Sequence, residues 1–386
     1  MGASESMGGT ARAVLDVAEA WVRDGERVAL AMVAGTKKSA PRPVGTKMAV
    51  SSSGQIEGAV SGGCVEGAVV EEAESVMATG EPRLLHYGIS DAEAWDVGLQ
   101  CGGEIAVWVE PFAMPSESEA DDTPERLSAA FRDLQRAGRR AALVTLMRGP
   151  RPGAKLLRLD DGTHRGTLGD ERADALAAGY ADEMMWAGSS KLFEEADDDL
   201  ALFVDVSAPA PRLFIFGAVD FSTALCTLAR FLGWRPFVID PRGRFAQPAR
   251  FPDAEQVVAE WPQTAFERLG GIDRATSVVV LTHDPKLDDA ALRAALASDA
   301  PYIGAMGSRT AQAARRERLL EAGIDESLLE RISAPVGLNV GALTPEETAL
   351  SIMGEIVALQ RGRDGGRLAN AATRIHPTTA GIGNER

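Results

Sequence analysis

The N-terminal part of the chain changes its hydrophobic period from helix to hairpin and back to helix. The first run with helical spacing is ARAVLDVAEAWVRDG. Two alternating apolar runs then flank the turn residues Ser53 and Gly54 in KMAVSSSGQIEGAV, which predicts a β-hairpin. Helical spacing returns in VEGAVVEEAESVMATG, where Gly80 closes the predicted helix. The pattern therefore places the segment SGGC at the junction between an extended segment and a helix.

The hairpin and helix pattern occurs a second time, in RPGAKLLRLDDGTHRGTLGDERADALAAGYADEMMWAG. Glycines at turns and helix ends are required by backbone geometry, so a duplicated fold retains them. We predict an internal repeat, with chance similarity as the alternative. At an offset of 108, residues 61–64 (SGGC) align with residues 169–172 (GDER). The second copy therefore keeps the hairpin and helix pattern but lacks the candidate cysteine and its glycines. Residues that match at an offset of 108 are Lys47 with Lys155, Gly54 with Gly162, Gly58 with Gly166 and Gly80 with Gly188.

The C-terminal part alternates continuous apolar strands with amphipathic helices. This order is typical of a doubly wound parallel sheet. Gly217 and Ala218 lie at the first predicted turn from strand to helix. Asp240 ends the second predicted strand, where an acidic residue of such folds meets a ribose hydroxyl. These three residues are therefore predicted to contact a cofactor.

The nucleotide fingerprint of this domain is incomplete, because Val219 and Ser222 stand where G-x-G-x-x-G requires glycine. Further candidates follow later predicted strands, namely His283 in THDP and Gly307 with Ser308 in GAMGSR. Ligands of open parallel sheets collect outside the carboxyl ends of the strands, so these residues are added to the predicted cofactor site. His283 is also a candidate acid or base, with a structural hydrogen bond as the alternative.

Together the patterns predict an α/β protein in which a Rossmann-like doubly wound parallel sheet follows an α+β N-terminal domain with a degenerate internal repeat. The predicted divisions are residues 1–115 for the N-terminal domain with the SGGC motif, 116–207 for the second copy with its acidic linker, and 208–364 for the Rossmann-like domain. Residues 365–386 lack an apolar period and are predicted to be a mobile tail.

Composition excludes several classes of function. The 386 residues include 40 Lys and Arg against 56 Asp and Glu, a net charge of −16, which disfavours nucleic acid as the main partner. Three cysteines argue against a disulfide framework, and the charged first helix does not resemble a signal peptide. No apolar run is long enough to span a membrane. These features predict a cytoplasmic protein.

Cys64 is the leading candidate for chemistry. It is predicted to lie at a helix N-terminus, where unpaired N–H groups and the helix dipole favour an anionic, metal-binding thiolate. Ser61, Gly62 and Gly63 would let backbone amides approach a ligand closely. The alternative is a small buried cysteine in a tight turn. Cys226, by contrast, falls on an apolar helix face and is predicted to belong to the core.

Other thiols and cations could join this site. Cys101 in LQCGGEI is also flanked by glycine and precedes the predicted strand IAVWVEPF. Lys37, Lys38, Arg42 and Lys47 lie upstream of the SGGC segment. Because thiolates suit soft metals, we predict that Cys64, Cys101 and cations such as Lys47 converge on one soft, anionic ligand.

Six segments of the chain, in this order, resemble the xanthine dehydrogenase accessory family, also called XdhC/CoxI-like. The resemblance covers nearly the whole sequence, and Cys64 and Cys101 match the cysteines of the family's SGGC and CGG motifs. The chain departs from the family at Asn339, where aspartate is common. The segments are SAPRPVGTKMAVSSSGQIEGAVSGGCVEGAV, HYGISDAEAWDVGLQCGGEI, FGAVDF, THDPKLDDAAL, GAMGSR and APVGLNVGALTPEE.

This resemblance implies a maturation factor that binds molybdenum cofactor, supports its sulfuration and hands it to a molybdenum hydroxylase such as xanthine dehydrogenase or carbon monoxide dehydrogenase. This role fits the prediction from the residues, in which Cys64 and Cys101 are the metal-binding and chemically active residues. A cysteine desulfurase as a further partner and a homodimer belong to the same expectation.

Two other classes of function stay open. The first is an NAD(P)-dependent oxidoreductase that uses a nucleotide in the Rossmann-like domain, an interpretation that depends on fold analogy alone. The second makes that domain a docking module for dimerisation and partners. Binding assays with nucleotides and with molybdenum cofactor distinguish all three.

Overall fold

The computed structural model describes residues 3–37, 42–88, 103–116, 120–195 and 198–371. They form two compact units, one spanning Ser6–Pro209 and one beginning at Ala210. The first unit contains two antiparallel five-stranded sheets and the second a six-stranded parallel sheet. The predicted α/β class, with an α+β first part and a Rossmann-like second part, is confirmed.

The first half of the N-terminal unit is a five-stranded sheet with the strand order β3-β2-β1-β5-β4. Its hairpin is formed by β2 and β3, its last strand β5 pairs with β1, and β4 pairs with β5 at the edge. The elements are α1 (Ala3–Arg23), β1 (Val28–Lys37), β2 (Lys47–Ser51), β3 (Ile56–Gly58), α2 (Glu66–Thr79), β4 (Arg83–Tyr87) and β5 (Glu104–Phe112).

The second half repeats this arrangement, with the strand order β8-β7-β6-β10-β9. Because each strand has a counterpart in the same place, the internal repeat predicted from the glycine spacing is confirmed. The elements are α3 (Pro124–Arg136), β6 (Ala141–Arg148), β7 (Lys155–Leu159), β8 (His164–Gly166), α4 (Glu171–Ala187), β9 (Lys191–Glu195) and β10 (Leu200–Ser207).

Gly58 and Gly166 show why the repeat retains its glycines. Both have positive φ, 80° and 83°. A Cβ on Gly58 would lie 2.5 Å from the carbonyl oxygen of Lys47 and 2.8 Å from Val14 Cγ2. A Cβ on Gly166 would meet the carbonyl oxygen of Lys155 in the same way, at 2.5 Å. At these two positions the hairpin and the helix beneath it leave no room for a side chain.

We therefore expect Gly58→Ala to destabilise the protein more than Gly54→Ala. Gly54 also has positive φ, 84°, but a Cβ there would have nothing within 4 Å. Gly54→Ala should cost about 1 kcal/mol from backbone strain alone, and Gly58→Ala about 3 kcal/mol because the clash adds to the same strain. Urea unfolding of the two variants measures the difference, and equal losses would contradict the close approach.

Each sheet of the N-terminal unit has two covered faces. Met48 and Val50 face α2 together with Val69 and Val76, whereas Ala49 packs on the other face with α1. Another part of that second face packs against the second sheet. The apolar cluster between the sheets is Met32, Ala34, Trp108, Met147, Leu192, Ala201 and Phe203.

The C-terminal unit has the strand order β13-β12-β11-β14-β15-β16, with every pairing parallel. Apolar clusters cover both faces, which explains why the strands are continuous hydrophobic runs in the sequence. The strands are β11 (Arg212–Phe216), β12 (Arg235–Ile239), β13 (Gln256–Val258), β14 (Thr276–Val280), β15 (Ile303–Ala305) and β16 (Ile332–Ser333). The helices are α5 (Asp220–Phe231), α6 (Pro262–Arg268), α7 (Pro285–Leu296), α8 (Arg309–Glu321), α9 (Glu326–Leu329) and α10 (Pro345–Gln360).

Candidate functional site

The SGGC loop, residues 61–64, connects β3 to α2 through a conformation that needs glycine. Gly62 and Gly63 have φ values of 134° and 107°, in a region that L side chains rarely adopt. A Cβ on Gly63 would have nothing within 4 Å, so the backbone conformation and not lack of space requires glycine there. Cys64 follows these two residues, and Val65 is the N-cap of α2.

Glu66 closes the loop on itself. One of its carboxylate oxygens, Oε1, accepts hydrogen bonds from the backbone N–H groups of Ser61 at 2.8 Å and Gly62 at 2.9 Å. The other, Oε2, accepts from the Ser61 hydroxyl at 2.6 Å and from Gly63 N at 2.8 Å. The Ser61 hydroxyl oxygen in turn accepts from Cys64 N at 3.1 Å. The amides that the sequence predicted to meet a ligand are therefore satisfied within the chain.

The charge of Glu66 is strongly favoured in this position. Burial alone would raise the pKa of Glu66, but the hydrogen bonds from the Ser61 hydroxyl and from the Gly62 and Ser61 amides lower it to about 2. The loop is thus a cradle of N–H groups around an internal anion. An external phosphate or carboxylate would have to displace Glu66 to use the same donors.

We expect Glu66→Gln to change the pH dependence of stability. The pKa of Glu66 falls from 4.5 to about 2 on folding, so its ionised form stabilises the protein above about pH 4.5 and this contribution is lost as pH falls toward 2. At pH 7 the free energy of unfolding of the variant should be about 2 kcal/mol lower than that of wild type. Between pH 5 and pH 3 it should fall less than the wild-type value falls. Urea unfolding at these pH values tests this. Glu74→Gln, on the exposed side of α2, is the control. If the free energy of unfolding depends on pH identically in both variants, the hydrogen bonds of Glu66 do not stabilise the loop.

Cys64 is a free, half-buried thiol at the edge of the core beneath α2. It lies two positions before the first residue of that helix, which agrees with the predicted placement at a helix N-terminus. The thiol is thus neither fully buried, as the structural alternative requires, nor fully exposed. Cys101, its predicted partner, lies outside the described residues.

The second copy shows how the SGGC loop differs from an ordinary connection. Arg172, which aligns with Cys64, lies in the first turn of α4, and its side chain forms an ion pair with Asp198 at 2.9 Å. Asp174, which aligns with Glu66, accepts hydrogen bonds from Leu168 N at 2.6 Å and from the Thr167 hydroxyl at 2.7 Å. Both copies keep a carboxylate at this position. Only the first copy has a loop in place of the first helical turn.

Lys47 does not join the Cys64 site, contrary to the expected convergence of cations. Because side chains alternate along β2, Met48 faces α2 and Lys47 faces the opposite side of the sheet. Its ammonium forms an ion pair with Asp205 at 2.9 Å. Lys37 pairs with Glu104 at 3.3 Å, and Lys38 lies outside the described residues.

In the C-terminal unit, the predicted cofactor residues do meet at one edge of the sheet. Gly217, Asp240, His283 and Gly307 follow the carboxyl ends of β11, β12, β14 and β15, which are parallel. The crevice where such folds bind ligands lies between β11 and β14, where the strand order reverses. Gly217 has φ 115°, and a Cβ there would lie 2.6 Å from Thr282 Cγ2, so the loops after these two strands are in close contact.

Asp240 is fully buried and already has partners. Its Oδ2 accepts from Ala218 N at 2.8 Å and from Arg242 Nη2 at 2.7 Å, and its Oδ1 accepts from Arg242 N and Nε, both at 2.9 Å. Burial would raise the pKa of Asp240, but the hydrogen bonds from Arg242 and Ala218 lower it below its ordinary value. A ribose hydroxyl would therefore compete with Arg242 for this carboxylate.

The other residues of this edge have ordinary local roles or are exposed. Ser308 is the N-cap of α8, and its side chain accepts from Ala311 N at 3.2 Å. Asp284 caps α7 in the same way, and the neighbouring His283 is exposed. Cys226 is fully buried in the core, as predicted, and burial raises the pKa of its thiol to about 12.

Across the described ranges, no group of three or more His, Cys, Asp or Glu side chains is arranged to hold a metal ion. The helices in that part of the chain are also too short or too polar to cross a membrane. Any metal bound near Cys64 would therefore need ligands from outside the described residues or from the bound molecule itself.

Comparison with known proteins finds two family models that together match most of the chain. The family model described as XdhC and CoxI family matches residues 21–88 and 134–194, and the model described as XdhC Rossmann domain matches residues 213–356. The first model thus matches both copies of the repeat.

Two curated relatives and one crystal structure are similar over about nine-tenths of the chain. A Bacillus subtilis protein named as a probable xanthine dehydrogenase subunit is 26% identical over 345 residues, covering 89% of this chain and 96% of the relative. "Molybdenum cofactor insertion chaperone PaoD" of Escherichia coli is 25% identical over 352 residues, covering 90% and 88%. A crystal structure described as a xanthine dehydrogenase from Bacillus halodurans is 26% identical, has a TM-score of 0.54 and covers 92% of this chain and 97% of that one. The chain therefore belongs to the XdhC and CoxI family.

Proposed function

We propose that this protein binds molybdenum cofactor, supports its sulfuration and inserts it into a molybdenum hydroxylase of the xanthine dehydrogenase or carbon monoxide dehydrogenase type. The observation that carries the proposal is the similarity over nine-tenths of the chain to the Escherichia coli protein named as a molybdenum cofactor insertion chaperone. A cysteine desulfurase is the proposed source of sulfur. The protein acts as a carrier in this proposal, and the chemistry of hydroxylation belongs to the client enzyme.

The surroundings of Cys64 support a role as a soft ligand. Its thiol is free and half-buried, and the backbone that presents it is fixed by the Glu66 carboxylate. A preorganised thiol suits a soft metal centre such as molybdenum with sulfur ligands. Because Glu66 fills the N–H cradle, the phosphate of the cofactor would bind outside the SGGC loop unless Glu66 moves.

The sheet edge of the C-terminal unit is the proposed second contact. Gly217, Ala218, His283, Gly307 and Ser308 surround the crevice in which this fold class places phosphates and ring systems. The ion pair between Asp240 and Arg242 reduces the support for an NAD(P)-dependent oxidoreductase, since the acidic residue expected to hold ribose is occupied.

Coexpression with a client hydroxylase tests the proposal. Client purified from cells that also express this chain should contain molybdenum and sulfurated cofactor and show hydroxylase activity. Client from cells that lack this chain should be poor in cofactor. Equal cofactor content and activity in both preparations would contradict a maturation role.

A further inference from the structure

The helix α10 carries apolar residues on two sides. Its outer side has Leu350 and Val357, which lie two turns apart on one line of the helix surface. Leu350 is 58% exposed and Val357 is half-buried. The outer side of a surface helix is normally polar, so an apolar stripe there needs an explanation. The inner side packs into the core of the C-terminal unit through Ala349, Ile352, Met353 and Ile356.

Neighbouring side chains extend this apolar surface. Leu338 lies beside the middle of the stripe, because a Cβ on Gly354 would lie 3.1 Å from Leu338 Cδ1. Leu343, the residue before the N-cap of α10, is 92% exposed. The helix α5 packs against α10 and ends in Phe231, which is 79% exposed. Apolar surface that is gathered in one place, unlike single exposed residues, marks an interaction site.

The two ends of the stripe carry opposite charges. Glu346 lies in the first turn of α10 and Arg361 is its C-cap, and both continue the line of the stripe in steps of four residues. Across the described ranges, neither of these side chains forms an ion pair. The carboxylate of Glu347, by contrast, accepts from two backbone N–H groups at the helix start, at 2.7 and 3.1 Å. The stripe therefore offers an acidic and a basic end to a partner.

Two copies of this stripe match each other when the helices pack antiparallel. A two-fold axis brings residues that share one midpoint in the sequence opposite each other. With the axis at the middle of the stripe, Leu350 faces Val357 of the second copy. The same axis places Glu346 opposite Arg361, because this pair has the same midpoint. A parallel pairing would bring like charges together, and only the antiparallel one joins opposite ends of the helix dipoles.

We propose that the outer stripe of α10, with Leu338, Leu343 and Phe231 around it, binds a second copy of this chain as an antiparallel helix pair. A second copy matches the charge order of the stripe by symmetry, which an unrelated partner does not require. The contact is one helix of 16 residues, about 24 Å long, with its flanking side chains, and lies at the lower limit of stable interfaces. The dimer is therefore reversible, with a dissociation constant in the micromolar range.

Sedimentation velocity of the full chain, over a range of concentrations around the micromolar, tests the interface. Wild type should convert from monomer to dimer as concentration rises. Leu350→Glu should stay monomeric, because it places a carboxylate against Val357 of the second copy. Leu350 is exposed, so the variant should unfold at the same urea concentration as wild type. A dimer that Leu350→Glu leaves unaltered would overturn the proposal.

Leu320→Glu is the matched control for the same chemical change. Leu320 is 40% exposed and lies on α8, which packs on the other face of the parallel sheet. This variant should dimerise as wild type. Cys64→Ala should also dimerise as wild type, because the interface does not involve the SGGC loop. The proposed function and this interface can therefore fail separately.

Charge reversal tests the antiparallel register. Glu346→Arg and Arg361→Glu should each weaken dimerisation at least about fivefold, because two attractive contacts become repulsive. A mixture of these two variants should form a heterodimer, detected by fluorescence sedimentation of one labelled variant, and the double variant should dimerise as wild type. If neither the mixture nor the double variant recovers the affinity, the register is wrong.

The same experiments identify the other possible occupants of the stripe. If wild type is monomeric and dimerises only after deletion of residues 372–386, the stripe binds the end of its own chain. If wild type is monomeric and Leu350→Glu fails to activate the client hydroxylase, the stripe binds the client. A monomeric wild type overturns the proposal in either case.

Discussion

Replacing Cys64 by alanine should abolish activation of the client hydroxylase while leaving the protein folded. Alanine fits the position before the N-cap of α2, and losing one half-buried thiol costs only about 1 kcal/mol of stability. Alanine cannot ligate a soft metal or carry sulfur, so the defect should appear as a client with little cofactor. Client activity in cells that express the variant measures the effect.

Cys226→Ala is the matched control, because it removes a thiol from the core of the C-terminal unit. It should lower stability but leave client activation intact. Normal activation by well-folded Cys64→Ala protein would remove Cys64 from the proposed site, although the chain would still belong to the family. The oxidoreductase interpretation makes the opposite prediction, since NAD(P)-dependent turnover by this chain would not need Cys64.

Lys47→Met should destabilise the N-terminal unit by about 3 kcal/mol. The side chain is 9% exposed and its partner Asp205 is 15% exposed, so the variant leaves a carboxylate buried without its cation. Urea unfolding of the variant tests this. Adding Asp205→Leu should recover most of the loss, because an apolar pair removes the uncompensated charge.

Lys37→Met provides the control for the same chemical change at an exposed ion pair. Lys37 and Glu104 are 57% and 45% exposed, and such pairs contribute less than about 1 kcal/mol. If the free energy of unfolding falls by the same small amount in both lysine variants, the ion pair of Lys47 and Asp205 does not hold the two copies together. If Asp205→Leu deepens the loss in Lys47→Met, burial of the lone carboxylate is not the cause.

The sequence predicted the parts of this fold that depend on local geometry. Continuous apolar strands between helices predicted the parallel sheet, because a sheet covered on both faces needs apolar residues throughout. The spacing of Gly58 and Gly166 predicted the repeat, because both hairpins exclude a Cβ at the same place. The placement of Cys64 just before a helix followed from the change in hydrophobic period.

The contacts of the candidate site were harder to predict. Glu66 looks like an ordinary acidic residue of a first helical turn, and nothing local shows that its carboxylate turns back to Ser61 and Gly63. The face occupied by Lys47 could have been predicted, since Met48 and Val50 are apolar and alternation places the lysine opposite them. The ion pairs of Lys47 with Asp205 and of Lys155 with Glu110 could not be predicted. Their carboxylates lie in strands outside the ungapped alignment of the two copies.

Asp240 illustrates a limit of motif reasoning in the C-terminal unit. Its position after the second strand was predicted correctly, but its partner Arg242, two residues later, satisfies the carboxylate that a nucleotide would use. A motif gives the place of a residue in the fold. The neighbours determine which hydrogen bonds remain for a ligand.

Molybdenum and pterin content per chain is the most direct test of the central claim that this protein carries molybdenum cofactor through Cys64. The wild-type protein and the Cys64→Ala variant are purified from the same molybdenum-supplied cells that lack the client, and both are analysed for metal and for oxidised pterin fluorescence. Wild type should retain both components in equal amounts, and the variant should retain neither while remaining folded. Equal molybdenum and pterin in the two proteins, or none in wild type, would contradict the account.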